Sequence, residues 1–268
     1  MMSTTLQRSK TAGGAAFHEA GEGEPLVLIH GVGMRLEAWA PQIAALAKSH
    51  RVIAVDMPGH GESDRIAPES RLPEFVAWLG AAIDDLGLER VNVAGHSMGA
   101  LIAGGAAATF GERVRRVALL NGVYRRDPAA SAAVIERARE IVDGAPIDFD
   151  GPLRRWFGTD ETVEDVYRLT HGWLSSVDRQ GYATAYRAFA EGDAVYADRW
   201  PDVTCPALFL TGRDDPNSTP AMSEAMAAAA PNGTAVVIEG QRHMVNLTAP
   251  ERVTAILSEW LREKEIRA

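Results

Sequence analysis

The sequence predicts an α/β protein with a mostly parallel sheet that carries helices on both faces. Short, continuous apolar runs at residues 26–29, 91–94 and 207–210 suit strands that are buried on both sides. Amphipathic helical patterns and Gly-rich loops alternate with these runs, as they do in βα units. After residue 122 the alternation stops, and helical patterns continue to about residue 200 without a buried-strand pattern. The predicted fold class therefore includes a helical insertion in an α/β chain.

The same patterns place the elements in order. The predicted strands cover residues 13–20, 26–29, 51–55, 91–95, 113–120, 207–210 and 235–238. The predicted helices cover residues 39–48, 73–86, 131–142, 161–169, 181–190, 220–230 and 250–263, with one more that starts near Ala100. Residues 1–123 and 201–268 form the predicted α/β core. Residues 124–200 form the helical insertion, which we expect to cap a site.

Composition limits the classes of function. The 268 residues are 46% hydrophobic and carry a formal net charge of −9, which is typical of a globular protein and argues against nucleic-acid and anionic-membrane partners. The chain has one cysteine, Cys205, which we expect to be a buried structural thiol. Residues 1–11 are polar, and no stretch reaches the roughly 20 apolar residues of a membrane span, so we expect a cytoplasmic location. The sequence leaves a homo-oligomer open.

The clearest chemical signal is the stretch Gly95-His96-Ser97-Met98-Gly99, which lies between an apolar strand and a small-residue helix. This order of strand, glycine-flanked serine and helix is the pattern of a nucleophile elbow. Glycine suits the flanking positions because the turn is too sharp for side chains there. The helix behind the serine directs its free N–H groups towards developing negative charge. Ser97 is therefore the candidate nucleophile.

His243 is the candidate base, because a serine hydroxyl needs a base within reach and the base needs an orienting acid. It follows the last predicted strand, at the end where parallel strands expose ligand sites. Asp214 and Asp215 follow the previous strand, and the chain order of serine, aspartate and histidine suits the elbow architecture. The turn at Pro216 favours Asp215 as the acid, while Asp214 stays open as the alternative.

Two other histidines compete with His243 for the role of base. His60 lies in a Gly-rich loop on the same side of the sheet, where we expect it to fix the loop. His96 directly precedes Ser97, and we expect its side chain to point away along the elbow. Neither position is as well placed as the loop after the last strand.

Carbonyl chemistry also needs two N–H donors for the developing oxyanion. The residue after the nucleophile, Met98, supplies one backbone N–H. The second is expected from the loop His30-Gly31-Val32-Gly33, at Val32, because its glycines let the backbone approach a substrate. His30 and Gly31 of this loop are candidate substrate contacts.

Together these residues resemble the α/β-hydrolase superfamily. The matching pieces, in order, are His30-Gly31, Asp56-x-Pro-Gly-His-Gly-x-Ser63, Gly95-x-Ser97-x-Gly99, Gly212-x-x-Asp215-Pro216 and His243. The resemblance implies an α/β-hydrolase fold with eight strands and a helical cap after the sixth strand. It also implies Asp215 as the triad acid, with Val32 and Met98 at the oxyanion positions. Among subgroups, the chain is similar to small, capped bacterial esterases, lactonases and carbon–carbon bond hydrolases.

Substrate recognition is expected in the helical insertion. Its aromatic residues Trp156, Trp173 and Tyr186 are candidates to line a pocket, and the alternative is that they only pack the insertion against the sheet. Acidic residues outnumber basic ones over residues 125–199, which gives no long-range attraction for an anion. A local clamp on a carboxylate by Arg154 or Arg155 stays open, with surface pairing as the alternative.

The motifs predict a serine hydrolase that cleaves a carboxylic ester or lactone of a small, partly apolar substrate through an acyl-enzyme. No metal and no cofactor are expected, because the aspartate pair has no second cluster with ligand spacing. One alternative is hydrolysis of a carbon–carbon bond in a ring-cleavage keto acid by the same triad. Others are a ligand-binding receptor with slow turnover and, from similar folds, a halide-dependent oxidation.

Overall fold

One eight-stranded sheet organises the structure, a computed structural model that describes residues 5–159 and 163–263. Its strands are β1 (Ser9–Lys10), β2 (Ala16–Ala20), β3 (Glu24–Ile29), β4 (His50–Val55), β5 (Val91–His96), β6 (Val114–Leu120), β7 (Ala207–Gly212) and β8 (Gly233–Ile238). They lie in the order β1-β2-β4-β3-β5-β6-β7-β8. β2 pairs antiparallel with β1 and β4, and the other neighbours pair in parallel. The predicted mostly parallel sheet of eight strands is confirmed.

The helices cover both faces of the sheet. They are α1 (Ala40–Leu46), α2 (Leu72–Asp85), α3 (Met98–Phe110), α4 (Pro128–Val142), α5 (Asp150–Phe157), α6 (Glu164–Ser176), α7 (Arg179–Gly192), α8 (Pro220–Ala229), α9 (Val245–Thr248) and α10 (Pro250–Trp260). The helices α4 to α7 lie between β6 and β7 in the chain, where the sequence predicts the helical insertion. No described helix is both long and apolar enough to cross a membrane.

Side chains alternate between two hydrophobic clusters along the strands, because successive strand residues face opposite sides of a sheet. In β3, Val27 and Ile29 join the larger cluster, which also takes in α2, α3 and parts of α5, α6 and α7. Leu26 and Leu28 join the smaller cluster, with α1 and α10. All four side chains are at most 1% exposed. Continuous apolar runs therefore reflect strands covered on both faces.

Helix bounds depart from the predictions mainly within the helical insertion. α4 begins at Pro128 because Asp127 Oδ1 accepts hydrogen bonds from the next two free amides of the helix. α5 has no counterpart among the predicted helices, since Gly151 and Pro152 weaken its helical pattern. The helix predicted at residues 161–169 corresponds to α6, which continues to Ser176 because Gly172 does not end it. Residues 161 and 162 lie outside the described residues.

A buried ion-pair cluster ties Arg8 to Glu37 and Asp56. Arg8 Nη2 lies 2.7 Å from Glu37 Oε2, and Arg8 Nε lies 2.7 Å from Asp56 Oδ2. Asp56 also accepts the backbone N–H of Leu36 at 2.8 Å and that of Glu62 at 3.0 Å. Burial alone raises the pKa of Glu37, but hydrogen bonds, first those of Arg8, outweigh burial and lower this pKa to about 2. Glu37 therefore stays ionised at neutral pH.

Candidate active site

Ser97 occupies a strained turn between β5 and α3. Its φ of 55° and ψ of −114° cost a non-glycine residue about 1–3 kcal/mol. A Cβ atom at Gly95 would lie 1.9 Å from Gly99 O, and one at Gly99 would lie 2.2 Å from Ile29 O, so only glycine fits these two positions. Ser97 N–H donates to Leu120 O of β6 at 2.9 Å, which holds the turn against the sheet. This geometry is that of a nucleophile elbow.

His243 and Asp215 form a buried hydrogen-bonded pair. His243 Nδ1 lies 2.7 Å from Asp215 Oδ2, and each residue is 3% exposed. Asp215 also accepts hydrogen bonds of 2.8 Å from Asn121 Nδ2 and from the backbone N–H of Asn217. Burial alone raises the pKa of Asp215, but the charge of His243 and these hydrogen bonds outweigh it and lower the pKa below its ordinary value. The carboxylate is therefore suited to orient the imidazole and to stabilise its charged form.

The structure separates the two neighbouring aspartates. Asp214 is exposed, and its backbone N–H donates to Gln241 O at 2.9 Å, whereas Asp215 contacts His243. The loops after β7 and β8 approach closely because β7 ends in Gly212, where a Cβ atom would lie 2.2 Å from Gln241 O. This contact brings the acid and the base together.

His96 packs against His243, and the expectation that its side chain points away is wrong. His96 Nε2 lies 2.8 Å from His243 O, and the two ring centroids are 5.1 Å apart. His96 is the last residue of β5, so its side chain stands at the strand ends where the loop after β8 arrives. Burial, followed by the charge of His243, lowers the pKa of His96 to about 3. The neutral ring therefore donates Nε2–H and holds the backbone of His243.

Two buried histidines fix the loop after β3. His30 Nδ1 donates to Gly31 O at 2.8 Å, and His30 Nε2 accepts the backbone N–H of Met57 at 2.9 Å. His60 Nε2 accepts the backbone N–H of Gly33 at 3.0 Å. Burial lowers the pKa of both rings, in His60 to about 3. His60 thus lies in a loop-fixing position and does not contact the Asp215 carboxylate.

The same loop places Val32 in the wall of the cavity that Ser97 lines. Gly33 N–H is bound to His60, and Met34 N–H donates to Gly31 O at 3.1 Å. Val32 lies between Gly31 and Gly33 and lines a cavity together with Ser97. Met98 is the first residue of α3, where N–H groups have no partner within the helix. Val32 and Met98 therefore remain the candidate oxyanion donors.

A cavity of about 630 Å³ opens onto Ser97 and His243. The helical insertion contributes much of its wall, including the predicted contacts Trp156 and Tyr186. The Trp156 ring stacks on the His243 ring, with centroids 5.7 Å apart and planes at 26°. Trp156 O also accepts the backbone N–H of His243 at 3.3 Å. The insertion therefore both walls the cavity and contacts the candidate base.

Three predicted substrate contacts do not line this cavity. Trp173 is 6% exposed and belongs to the larger hydrophobic cluster, so it packs the insertion instead. His30 is completely buried and both its ring nitrogens are hydrogen-bonded. Gly31 packs beside Ser97, where an added Cβ atom would lie 3.1 Å from the Ser97 Cβ atom. These residues shape the site without facing its open volume.

The cavity wall carries three arginines, Arg126, Arg137 and Arg155. Of the two arginines singled out from the sequence, Arg155 lines the cavity and Arg154 is exposed outside it. Arg126 has no counterpart among the predicted contacts. The signal that could have found it is its place shortly after β6, at the strand ends where the catalytic candidates also lie.

The structure offers little for a metal site. Among residues 5–159 and 163–263, no group of three or more His, Cys, Asp and Glu side chains is arranged to hold a metal ion. Cys205 is half-buried just before β7, and burial raises the pKa of its thiol to about 11. The thiol is thus protonated at neutral pH.

Comparison with known proteins places the chain among hydrolases. Residues 26–256 match the family described as the alpha/beta hydrolase family. A protein of Acinetobacter baylyi, named (E)-2-((N-methylformamido)methylene)succinate hydrolase, is 53% identical over 261 residues, which are 97% of this chain and 98% of that protein. The similarity therefore includes both the sheet and the helical insertion.

Two solved structures are also similar along nearly their whole length. An esterase from Thermogutta terrifontis, solved with malate bound, has a TM-score of 0.86 and 28% identity, and the match covers 97% of this chain and 100% of that one. An enol-lactonase from Burkholderia xenovorans has a TM-score of 0.82 and 28% identity, with 96% and 100% covered. Both superpose with the core and the insertion together.

Proposed function

The chain is a hydrolase that belongs to the alpha/beta hydrolase family, and we propose that it hydrolyses a carbonyl substrate through an acyl-enzyme on Ser97. The observation that carries the proposal is the 2.7 Å hydrogen bond between His243 Nδ1 and Asp215 Oδ2, at the edge of the cavity that Ser97 and His243 line. This bond leaves His243 Nε2 as the nitrogen that takes a proton. A strained elbow, an oriented base and two backbone donors are the parts that acyl transfer needs.

In the proposed substrate class, the reacting group is a formamide on an unsaturated dicarboxylic acid, as in the name of the Acinetobacter baylyi relative. Identity of 53% along almost all of both chains supports this choice. Three arginines in the cavity wall suit the two carboxylates of such a molecule.

The proposed reaction has two halves. His243 Nε2 takes the Ser97 proton as Ser97 Oγ attacks the formyl carbon, and the N–H groups of Val32 and Met98 hold the oxyanion. The carbon–nitrogen bond then breaks as His243 returns the proton to the leaving nitrogen. Water, deprotonated by His243, attacks the formyl ester on Ser97 and releases formate. The net change is one water consumed, with formate and an amine formed.

A lactone is the second candidate substrate. The same machinery opens a lactone or an ester, and the Burkholderia xenovorans enol-lactonase supports the lactone through 28% identity over 96% of this chain. Only the leaving group differs, since an alkoxide or enolate replaces the amine.

The test measures formate released from (E)-2-((N-methylformamido)methylene)succinate by the wild type and by Ser97→Ala. A short p-nitrophenyl ester serves for a burst assay. We expect turnover and a stoichiometric burst in the wild type, with kcat lowered about 10⁴-fold or more in Ser97→Ala. Ser175→Ala, which changes an exposed serine of α6, is the matched control and should keep wild-type rates.

Each failure has a separate meaning. Full activity in Ser97→Ala would overturn the acyl-enzyme. Turnover of an enol lactone without turnover of the formamide would replace the substrate by the second candidate. Cleavage of a ring-cleavage keto acid alone, or tight binding without repeated turnover, would favour the carbon–carbon hydrolase or the receptor.

A further inference from the structure

Arg126 is a buried arginine built into the wall of the cavity. Its side chain is 5% exposed, and Nη1 lies 3.2 Å from Asp193 Oδ1. The guanidinium carbon lies 4.5 Å from the centre of the Phe189 ring, a cation–π distance. The ion pair and the aromatic ring hold the guanidinium in one place beside the open volume. This is a fixed charge, unlike a surface arginine that moves freely in water.

The hydrogen bonding of this guanidinium is incomplete. Arg126 Nη2 is buried and has no hydrogen-bond partner among the described residues. A guanidinium has five N–H donors, and buried donors in proteins are nearly always paired, because a lost hydrogen bond to water must be replaced. A carboxylate is the partner that fits best, since its two oxygens match the guanidinium fork. A molecule that fills the cavity would complete the bonding.

The surroundings of Arg126 favour an anion. Arg137 and Arg155 line the same cavity as Arg126. Burial raises the pKa of Tyr186, and the positive charges of all three arginines act to lower it. They therefore act on one region of the wall.

Two acidic residues also line the cavity, but both are engaged with backbone amides. Asp127 Oδ1 accepts two N–H groups at the start of α4, each at 2.9 Å. Asp148 Oδ1 accepts the N–H of Gly151 at 3.0 Å. Asp193 accepts the backbone N–H of Arg126 at 2.6 Å in addition to its ion pair with the Arg126 side chain. These carboxylates leave Arg126 with a donor to offer.

We infer that Arg126 binds a carboxylate of the substrate and thereby selects small carboxylic acids whose carbonyl group reaches Ser97. This inference rests on the proposed function, since it assigns a residue to the recognition of that substrate. The helical insertion then holds the anionic end of the substrate, and the strand ends hold the reacting end.

The test measures binding of itaconate, a methylenesuccinate with two carboxylates and no hydrolysable bond, by isothermal titration calorimetry. We expect the wild type to bind itaconate and Arg126→Met to bind it roughly 10- to 100-fold more weakly, because a charge-assisted pair is lost. Arg126→Lys, which keeps the charge without the fork, should lie between them. Arg154→Met, which changes an exposed arginine of the neighbouring α5, should have the wild-type Kd.

Because Arg126→Met leaves Asp193 buried without its cation, a second variant guards against misfolding. The double variant Arg126→Met/Asp193→Asn removes both charges, keeps an acceptor for the backbone N–H of residue 126, and should fold while binding itaconate as weakly as the single variant. Equal Kd values for the wild type and either folded variant would overturn the inference, as would the absence of binding to the wild type. Absence of formate release with an intact Arg126 effect on Kd would count against the proposed substrate alone.

Discussion

The α/β core and the helical insertion contribute to one cavity in different ways. Ser97, Asp215 and His243 all lie at strand ends of the core, and they are 8%, 3% and 3% exposed. The three cavity arginines and the aromatic wall residues Trp156 and Tyr186 come from the insertion. In the core, hydrogen bonds fix Asp215 and His243, whereas in the insertion an ion pair and an aromatic contact fix Arg126.

The proposed chemistry therefore belongs to the core, and the proposed selection of substrate belongs to the insertion. Substitutions in the core should change the rate for every substrate, and substitutions in the insertion should change which substrate is bound. Trp156 is the exception, because it belongs to the insertion and contacts His243.

The largest effect should come from Asp215→Asn in the core. We expect kcat to fall about 10⁴-fold, because the amide no longer holds the imidazole in the required tautomer or stabilises its charge. The measurement is steady-state hydrolysis of the formamide and of a neutral ester, which should fall together. Asp214→Asn, one residue earlier and exposed, is the matched control. A larger loss in Asp214→Asn than in Asp215→Asn would reverse the assignment.

The next largest effect compares glycine-to-alanine substitutions in the two regions, which should change stability in opposite directions. Gly95→Ala should cost about 4 kcal/mol or more in unfolding free energy, because the new Cβ atom would lie 1.9 Å from Gly99 O. Gly172→Ala in α6 meets no atom within 4 Å and should stabilise the protein by about 0.5–1 kcal/mol. Urea unfolding measures both. Equal changes in the two variants would contradict the contrast between core and insertion.

A smaller effect concerns acid stability, which depends on buried histidines of the core. The pKa of His60 is lowered to about 3, first by burial and then by the charge of His30, against about 6.5 in an unfolded chain. Its contribution to stability is therefore fully present above pH 6.5 and is lost as the pH falls towards 3. Between pH 7 and pH 5 this loss is about 2 kcal/mol.

The variant His60→Gln tests that contribution, since an amide accepts and donates hydrogen bonds without titrating in this range. Between pH 7 and pH 5, we expect the unfolding free energy of His60→Gln to fall by about 2 kcal/mol less than that of the wild type. His171→Gln in the insertion, where the histidine is not buried, should follow the wild-type curve. Parallel curves for all three proteins would refute the assignment to His60.

The smallest effect is expected at the contact between the two regions. Trp156→Ala keeps the carbonyl that binds His243 N–H but removes the stacked ring, so the imidazole loses one support. We expect kcat to fall roughly 10- to 100-fold, the usual cost of a displaced catalytic group. Trp156→Phe should recover most of the rate. Trp173→Phe, which changes a tryptophan outside the cavity, should leave kcat unchanged, and a rate loss there would show that the effect is not specific to the stack.

The sequence predicted the core well because its signals are local. Apolar runs identified six of the eight strands in the described residues, and a weak alternation over residues 13–20 identified β2. β1 (Ser9–Lys10) was missed because it is short and exposed and has no hydrophobic pattern. The insertion was predicted less well, since its helices follow tertiary packing, as α5 shows with glycine and proline near its start.

The site divides in the same way. Spacing and chain order selected Ser97 and His243 and favoured Asp215 over Asp214, and the structure brings these three residues to one edge of the sheet. The sequence did not single out Arg126 from its neighbour Arg125, because the backbone decides which of the two faces the cavity. Arg125 has a positive φ of 44° and pairs with Asp198, whereas Arg126 turns to the cavity. No sequence pattern specifies that turn.

The cluster around Arg8 makes the cavity depend on a residue that an N-terminal truncation would remove. A truncation that removed Arg8 would leave Asp56 buried without its cation and Glu37 paired with Arg35 alone, at a cost of about 3–5 kcal/mol. Asp56 holds the backbone of Leu36, which ends the loop that begins at His30 and carries Val32. Removing Arg8 should therefore weaken the support of the proposed oxyanion loop, even though residues 5–8 do not line the cavity.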